Sequence, residues 1–240
     1  MEKINYLVGY KDLKIVQNTE WFKFSLDSVL LANFVTINAR IKKIMDLGTG
    51  NAPIPLILST RTNAQIYGVE IQKGSYDLAV KSININKLDN KITILNEDIK
   101  NIGNLFETDT FDVITCNPPY FKIGGGSIVN NNDYKTIARH ELLMTIEDIL
   151  RVSKKLLKNN GVLSIIHRPE RLLEILDKMR SFNIEPKRIC FIYPKIDSDS
   201  NMVLIEGTKN GKEGLKILPP LFVYDNKGNY TQKVKEMLGK

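Results

Sequence analysis

Ile41-Lys42-Lys43-Ile44-Met45-Asp46-Leu47-Gly48-Thr49-Gly50-Asn51-Ala52-Pro53 is the stretch from which the architecture is read. Ile41 to Leu47 predicts a short apolar strand that runs into an acid and two glycines. Pro53 suits the first turn of a helix through Ser59, where its missing N–H is not needed. Working outward, the same alternation repeats. Gln65 to Glu70 predicts a second strand, Ser75 to Asn86 a helix by the spacing of Leu78, Ala79 and Ile83, and Lys91 to Leu95 a third strand. Phe111 to Cys116 predicts a fourth. A long helix over Leu142 to Leu157 follows, stopped by Asn159-Asn160-Gly161. Val162 to His167, a helix from about Pro169 to Ser181, and strands at Arg188 to Tyr193 and Met202 to Thr208 complete the set. Strands alternating with helices through short links call for an α/β fold: a doubly wound, mostly parallel, seven-stranded sheet with helices on both faces.

Two flanks lie outside this alternation. Tyr6 to Tyr10 and Leu13 to Gln17 predict a hairpin turning near Lys11-Asp12, and Phe24-Ser25-Leu26-Asp27 opens an apolar helix with Ser25 or Asp27 as its cap. Leu215 to Val223 predicts an added strand, followed by a polar tail with a short helix. The expectation is one domain over 1–240, with an amino-terminal hairpin and helix over 1–40, a core over 41–210 and a carboxyl-terminal strand and tail over 211–240. A chain of 240 residues, 42% hydrophobic and 25% charged, is ordinary for a globular protein of this size. No apolar run approaches the roughly 20 residues that cross a bilayer, and the first residues lack the pattern of a secretion signal. Cys116 and Cys190 both sit in apolar runs and are expected to be buried thiols in a reducing, cytoplasmic compartment. The net charge of +7 favours an anionic partner, nucleic acid first, although the lysines are scattered along the chain.

Four segments fall at the carboxyl ends of predicted strands, where doubly wound sheets bind their ligands. Gly48 and Gly50 allow a ligand to approach the backbone closely. Glu70 is placed to accept from ribose hydroxyls, and Asp98 from an adenine amino group. A dinucleotide would want a third glycine where Pro53 stands, and its pyrophosphate would need the helix terminus that Pro53 partly removes; S-adenosylmethionine has no phosphate and tolerates the change. The fourth segment, Asn117-Pro118-Pro119-Tyr120, carries the chemistry. The exocyclic nitrogen of adenine, cytosine or a carboxamide is a poor nucleophile because its lone pair is delocalised. The Asn117 side-chain carbonyl and the Pro118 backbone carbonyl can accept both of its hydrogens and draw it toward tetrahedral geometry. The prolines stiffen the loop, and Tyr120 offers a face on which a flat target stacks.

Together these residues resemble the class I, Rossmann-like amino-methyltransferases that use S-adenosylmethionine. Phe24-Ser25-Leu26-Asp27-Ser28-Val29-Leu30-Leu31 and Ala138-Arg139-His140-Glu141 are similar to the bacterial tRNA (adenine-N6)-methyltransferases, which act on adenosine 37, just 3′ of the anticodon, in a valine tRNA. The resemblance runs from about Tyr6 to the carboxyl terminus. It implies that Asp46, Gly48 and Gly50 hold the methionine moiety, Glu70 the ribose and Asp98 the cofactor adenine. It implies that Asp27 shapes the cofactor pocket from the other side, that Asn117, Pro118 and Tyr120 are catalytic, with Asn117 and Pro118 holding the amine and Asn117 also contacting the cofactor, and that Pro119, Tyr120 and Phe121 receive the base. The implied partners are S-adenosylmethionine and tRNA, with no membrane, no metal and no obligatory protein partner. Asn51-Ala52 departs mildly from the family pattern, in a slot expected to vary.

Other readings share parts of this pattern. Glutamine methyltransferases of release factors carry the same tetrapeptide but have a longer helical region before the sheet. A DNA adenine methyltransferase would need a target-recognition domain, and a degenerate RNA-binding module would be expected to lose the acids or the Asn-Pro-Pro-Tyr turn. Gly124 to Asp133 reads as a loop gated by substrate, and His140 as a structural histidine at a helix start. His167 is the only other histidine, too few for a histidine metal site.

Overall fold

A computed structural model describes residues 1–7, 9–18, 26–120 and 144–239. The chain opens with a hairpin of β1 (Glu2–Leu7) and β2 (Tyr10–Asn18), then α1 (Leu26–Phe34). The alternating core follows as β3 (Lys43–Leu47), α2 (Pro53–Arg61), β4 (Gln65–Val69), α3 (Lys73–Ile85), β5 (Ile92–Leu95), α4 (Ile99–Ile102) and β6 (Phe111–Cys116). Then come α5 (Ile146–Leu156), β7 (Leu157–His167), α6 (Leu172–Ser181), β8 (Ile184–Tyr193) and β9 (Met202–Lys209). Two short strands, β10 (Lys216–Ile217) and β11 (Leu221–Phe222), and α7 (Gln232–Met237) close it.

The main sheet runs β10-β8-β9-β7-β6-β3-β4-β5, with β11 also on β8. The seven expected strands form its body, and the expected carboxyl-terminal strand is instead two two-residue pieces on its edge. Among the described residues of this sheet, only β9 runs against its neighbours, β7 and β8. From the adjacent central strands β3 and β6 the chain winds outward in opposite directions, through β4 and β5 on one side and β7 on the other. That reversal places a crevice above their carboxyl ends. Register lines those ends up: Leu47 pairs with Val69 and Cys116, Val69 with Leu95, and Cys116 with Ile165.

Strand pleating sends alternate residues into two cores. Ile44, Ile66, Val113 and Ile166 pack with α1, α2, α3 and the hairpin; Met45, Val69, Ile114 and Ile165 pack with α5 and α6. On the first face a buried polar knot fastens α1 to the sheet. Glu206 accepts from the Thr36 amide (2.9 Å) and hydroxyl (2.6 Å), the Ser164 hydroxyl (2.8 Å) and the Arg188 guanidinium (2.8 Å), while Arg188 also donates to the Phe34 carbonyl. A buried carboxylate is tolerable only when so fully paired.

Three local expectations are corrected. Leu7 pairs with Tyr10, so the strands of the hairpin already face each other before Lys11-Asp12, which lie inside β2. Gly9, at φ +89°, supplies the turn, and a Cβ there would fall 1.6 Å from the Leu238 carbonyl oxygen, so close packing with the carboxyl terminus selects it. The helix after β6 stops at Leu156 rather than at Asn159-Asn160-Gly161. The chain is extended from Leu157, and Asn160 (φ +63°) makes an irregularity within β7. Pro169–Arg171 is a 3₁₀ turn that precedes α6 rather than its first turn. Ser25, Phe121, the 124–133 loop and Ala138 to Glu141 lie outside the described residues.

Candidate active site

The loop between β3 and α2 crosses the crevice in left-handed steps: Gly48 at φ +67°, Gly50 at +58° and Ala52 at +69°. Thr49 N–H donates to the Val69 carbonyl, anchoring the loop on β4. Glu70 braces it, since its two carboxylate oxygens accept from the amides of Gly50 (2.9 Å) and Gln72 (2.8 Å). The Ile71 amide is a third backbone donor to this carboxylate, and burial raises the Glu70 pKa against the three amides. Asp98 caps α4, accepting from the Lys100 amide at 2.9 Å and pairing with the Lys100 ammonium at 3.6 Å. Asn96, beside it, donates to the Glu70 carbonyl at 2.8 Å and ties the β5 end to the β4 end.

Asp46 lies at the floor. Its Oδ1 accepts from the Thr115 hydroxyl at 2.6 Å, across the β3–β6 pairing. Its Oδ2 is buried without a well-formed hydrogen bond, and the Thr49 hydroxyl lies beside it. Burial pushes the Asp46 carboxyl up to about 7, with the Thr115 and Thr49 hydroxyls opposing and the Glu70 charge adding. Orphaned buried polar atoms are rare unless something else satisfies them. A Cβ on Gly50 would meet nothing within 4 Å, so the loop faces open space. A poorly paired carboxylate and hydroxyl, a bare glycine backbone and acids at the next two strand ends suit a cofactor with a cationic amino-acid end and a nucleoside end.

Two residues beyond Thr115, the Asn117 carboxamide is held at both ends. Its nitrogen donates to the Ser28 hydroxyl at 3.2 Å, and its carbonyl oxygen accepts from the Tyr120 hydroxyl. Tyr120 also lies 3.3 Å from Asp27, in the first turn of α1. Burial, with the Asp27 charge adding, raises the Tyr120 pKa, so the phenol stays a donor. The ring expected to be free for stacking is covered. His167 meets it edge to face at 5.6 Å, and the Arg168 guanidinium stands over it at 5.7 Å.

The structure thus brings Asp27, Asn117 and Tyr120 into one cluster and Asp46, Gly48, Gly50 and Glu70 into another, joined through Thr115. Asp98 stands one strand further out; Phe121 is outside the described residues. Three contributors were missed. Ser28 orients the carboxamide, and its place inside the quoted helix motif was the available signal. Asn51, set aside as variable, donates to the Val16 carbonyl at 2.9 Å and ties the glycine loop to the hairpin. His167 is brought to Tyr120 by strand order, which no local pattern announces.

A doubly wound sheet with an acid-glycine loop at its winding reversal and an amine-polarising turn beside it defines a class I, S-adenosylmethionine-dependent methyltransferase. The family described as "Methyltransferase domain" matches residues 40–218. A protein of Histophilus somni strain 2336 named tRNA1(Val) (adenine(37)-N6)-methyltransferase is 30% identical over 95% of this chain and 93% of its own length. A protein of the same name from Flavobacterium psychrophilum is 25% identical over 85% and 86%. Among solved structures, a predicted O-methyltransferase from Agrobacterium tumefaciens superposes with a TM-score of 0.72 at 22% identity, over 88% of this chain and 95% of that one. The chain belongs to the tRNA1(Val) (adenine(37)-N6)-methyltransferase family.

Proposed function

We propose that this protein methylates the N6 amine of an adenine in tRNA, at adenosine 37 of a valine tRNA, with S-adenosylmethionine as donor. The observation that carries the reading is Asn117. Its carboxamide is oriented by Ser28 beside the winding reversal, and its carbonyl holds a hydroxyl donor that a substrate N–H can replace. Asp46 with the Gly48–Gly50 loop would hold the methionine moiety, Glu70 the ribose, and Asp98 the cofactor adenine. Asp27 would close the pocket from α1. Bound S-adenosylmethionine supplies a methyl group on a positively charged sulfonium. Asn117 and the Pro118 carbonyl accept the two N–H bonds of the target amine and aim its lone pair; Pro119, Tyr120 and Phe121 receive the base. The protein's contribution is positioning and polarisation. The base must leave its stack at a cost of a few kcal/mol, and when Tyr120 yields Asn117 to the amine the count of hydrogen bonds is preserved. The setting is the cytoplasm, and no helix among the described residues is long and apolar enough to cross a membrane.

The test is methyl transfer to unmodified valine tRNA transcripts carrying A or G at position 37. Label in the A transcript alone supports the assignment. Equal label in both overturns the position, and label only on protein glutamine overturns the substrate class.

A further inference from the structure

His167 ends β7, the strand beside the one that carries Asn117, and is 1% exposed. Its Nδ1 accepts from the Arg168 backbone N–H at 2.8 Å. Burial, with the Arg171 guanidinium adding, lowers its pKa to about 4, so the ring is neutral at physiological pH. A neutral imidazole whose Nδ1 accepts carries its proton on Nε2. That Nε2 is buried and bonded to nothing, although the ring lies edge to face against Tyr120, the residue whose hydroxyl occupies Asn117.

A fixed, neutral N–H donor left unpaired inside a core is unfavourable, and a purely structural histidine would be expected to find an acceptor. The missing acceptor has a natural source. An adenine whose N6 amine faces Asn117 and Pro118 presents N1 on the same edge, an acceptor in adenine and an N–H donor in guanine. The Tyr120 ring that packs against His167 carries the hydroxyl on Asn117, so a swing of that ring out of the way would open both places together.

We propose that His167 reads the target base, its Nε2–H donating to N1 of adenine. The role rests on the tRNA-adenine reading above and adds to it. Asn117 and Pro118 recognise an amine, whereas a donor aimed at the neighbouring ring nitrogen holds adenine in one orientation and rejects guanine, whose N1 carries a hydrogen. His167 is on this account a specificity residue that contacts substrate, and no proton transfer is assigned to it.

The experiment uses the full chain with anticodon stem-loops carrying adenosine, 1-deazaadenosine or 7-deazaadenosine at the target position. Methyl transfer is read as kcat/KM, and cofactor binding is measured separately by calorimetry. For the native protein, 1-deazaadenosine should lose about tenfold to a hundredfold relative to adenosine, while 7-deazaadenosine, which keeps N1, should stay within threefold. His167→Phe should lower transfer to adenosine to the 1-deazaadenosine level with cofactor affinity unchanged, and should no longer distinguish the two bases. His167→Asn, which restores an N–H, should recover part of the difference. Native protein that treats 1-deazaadenosine like adenosine overturns the role whatever the variants do, as does a His167→Phe protein that keeps the native discrimination. Transfer to none of the stem-loops together with transfer to protein would instead overturn the tRNA reading itself, and this role with it.

Discussion

Cofactor affinity should depend on pH through Asp46. Its carboxyl is displaced from 3.8 to about 7, chiefly by burial, which corresponds to roughly 4 kcal/mol against the ionised form in the folded protein. The sign follows from the direction. A carboxyl whose folded pKa is raised contributes stability that is complete below its unfolded pKa and is lost as pH rises through about 7. The ligand-free protein therefore becomes less stable across that range from this group, and Glu70, raised by the same cause, acts in the same direction. A cationic cofactor beside Asp46 Oδ2 reverses the preference, so binding expels the proton. At pH 6 about nine-tenths of the Asp46 carboxyls must deprotonate on binding, and affinity should fall by close to tenfold for each pH unit below 7, with a plateau above about 8. His167, at about 4, stays neutral throughout this window. Calorimetry between pH 5.5 and 8.5, repeated in buffers of different ionisation enthalpy, should find about half a proton released at pH 7, and Asp46→Asn should abolish both slope and release. A dissociation constant flat within twofold from pH 5.5 to 8, in protein that remains folded, would refute the reasoning.

Four further predictions concern single residues. Asn117→Ala should cut kcat by about a hundredfold to a thousandfold, the cost of losing one preorganised polar partner of the reacting group, with cofactor affinity within threefold by calorimetry. Glu206→Ala leaves the Arg188 guanidinium and the Thr36 and Ser164 donors without their acceptor, and should cost about 3–5 kcal/mol in urea unfolding. Glu2→Ala, which removes the half-exposed pair with Lys81, should cost under about 1 kcal/mol in the same assay. Gly9→Ala combines a left-handed backbone with a collision at the Leu238 carbonyl and should cost about 2–4 kcal/mol, read as a lowered urea midpoint.

The parallel core was legible because each strand is a dense apolar run with a turn signal, and Phe111–Cys116 was bounded to the residue. Boundaries blurred where tertiary contacts decide. The hairpin turn follows Gly9 because the carboxyl terminus packs on it, a partner more than two hundred residues away in sequence. Asn159-Asn160 looked like a helix stop, yet β6 recruits the chain from Leu157. In the site, the acids and glycines could be found because each follows a strand. The use each is put to could not: Glu70 braces the glycine loop, Asp98 caps a helix, and Tyr120 turns its hydroxyl inward. His167 reaches Tyr120 only through strand order, and Asn51 acts through the hairpin. Non-local placement of this kind leaves no periodic trace in a single sequence.

The most direct test of the account is to incubate the purified protein with labelled S-adenosylmethionine and, separately, unmodified total tRNA, duplex DNA and a cell protein extract, and to identify the labelled product by mass. The account predicts N6-methyladenosine in tRNA and no label in the other two. Label in protein or DNA with none in tRNA would contradict it.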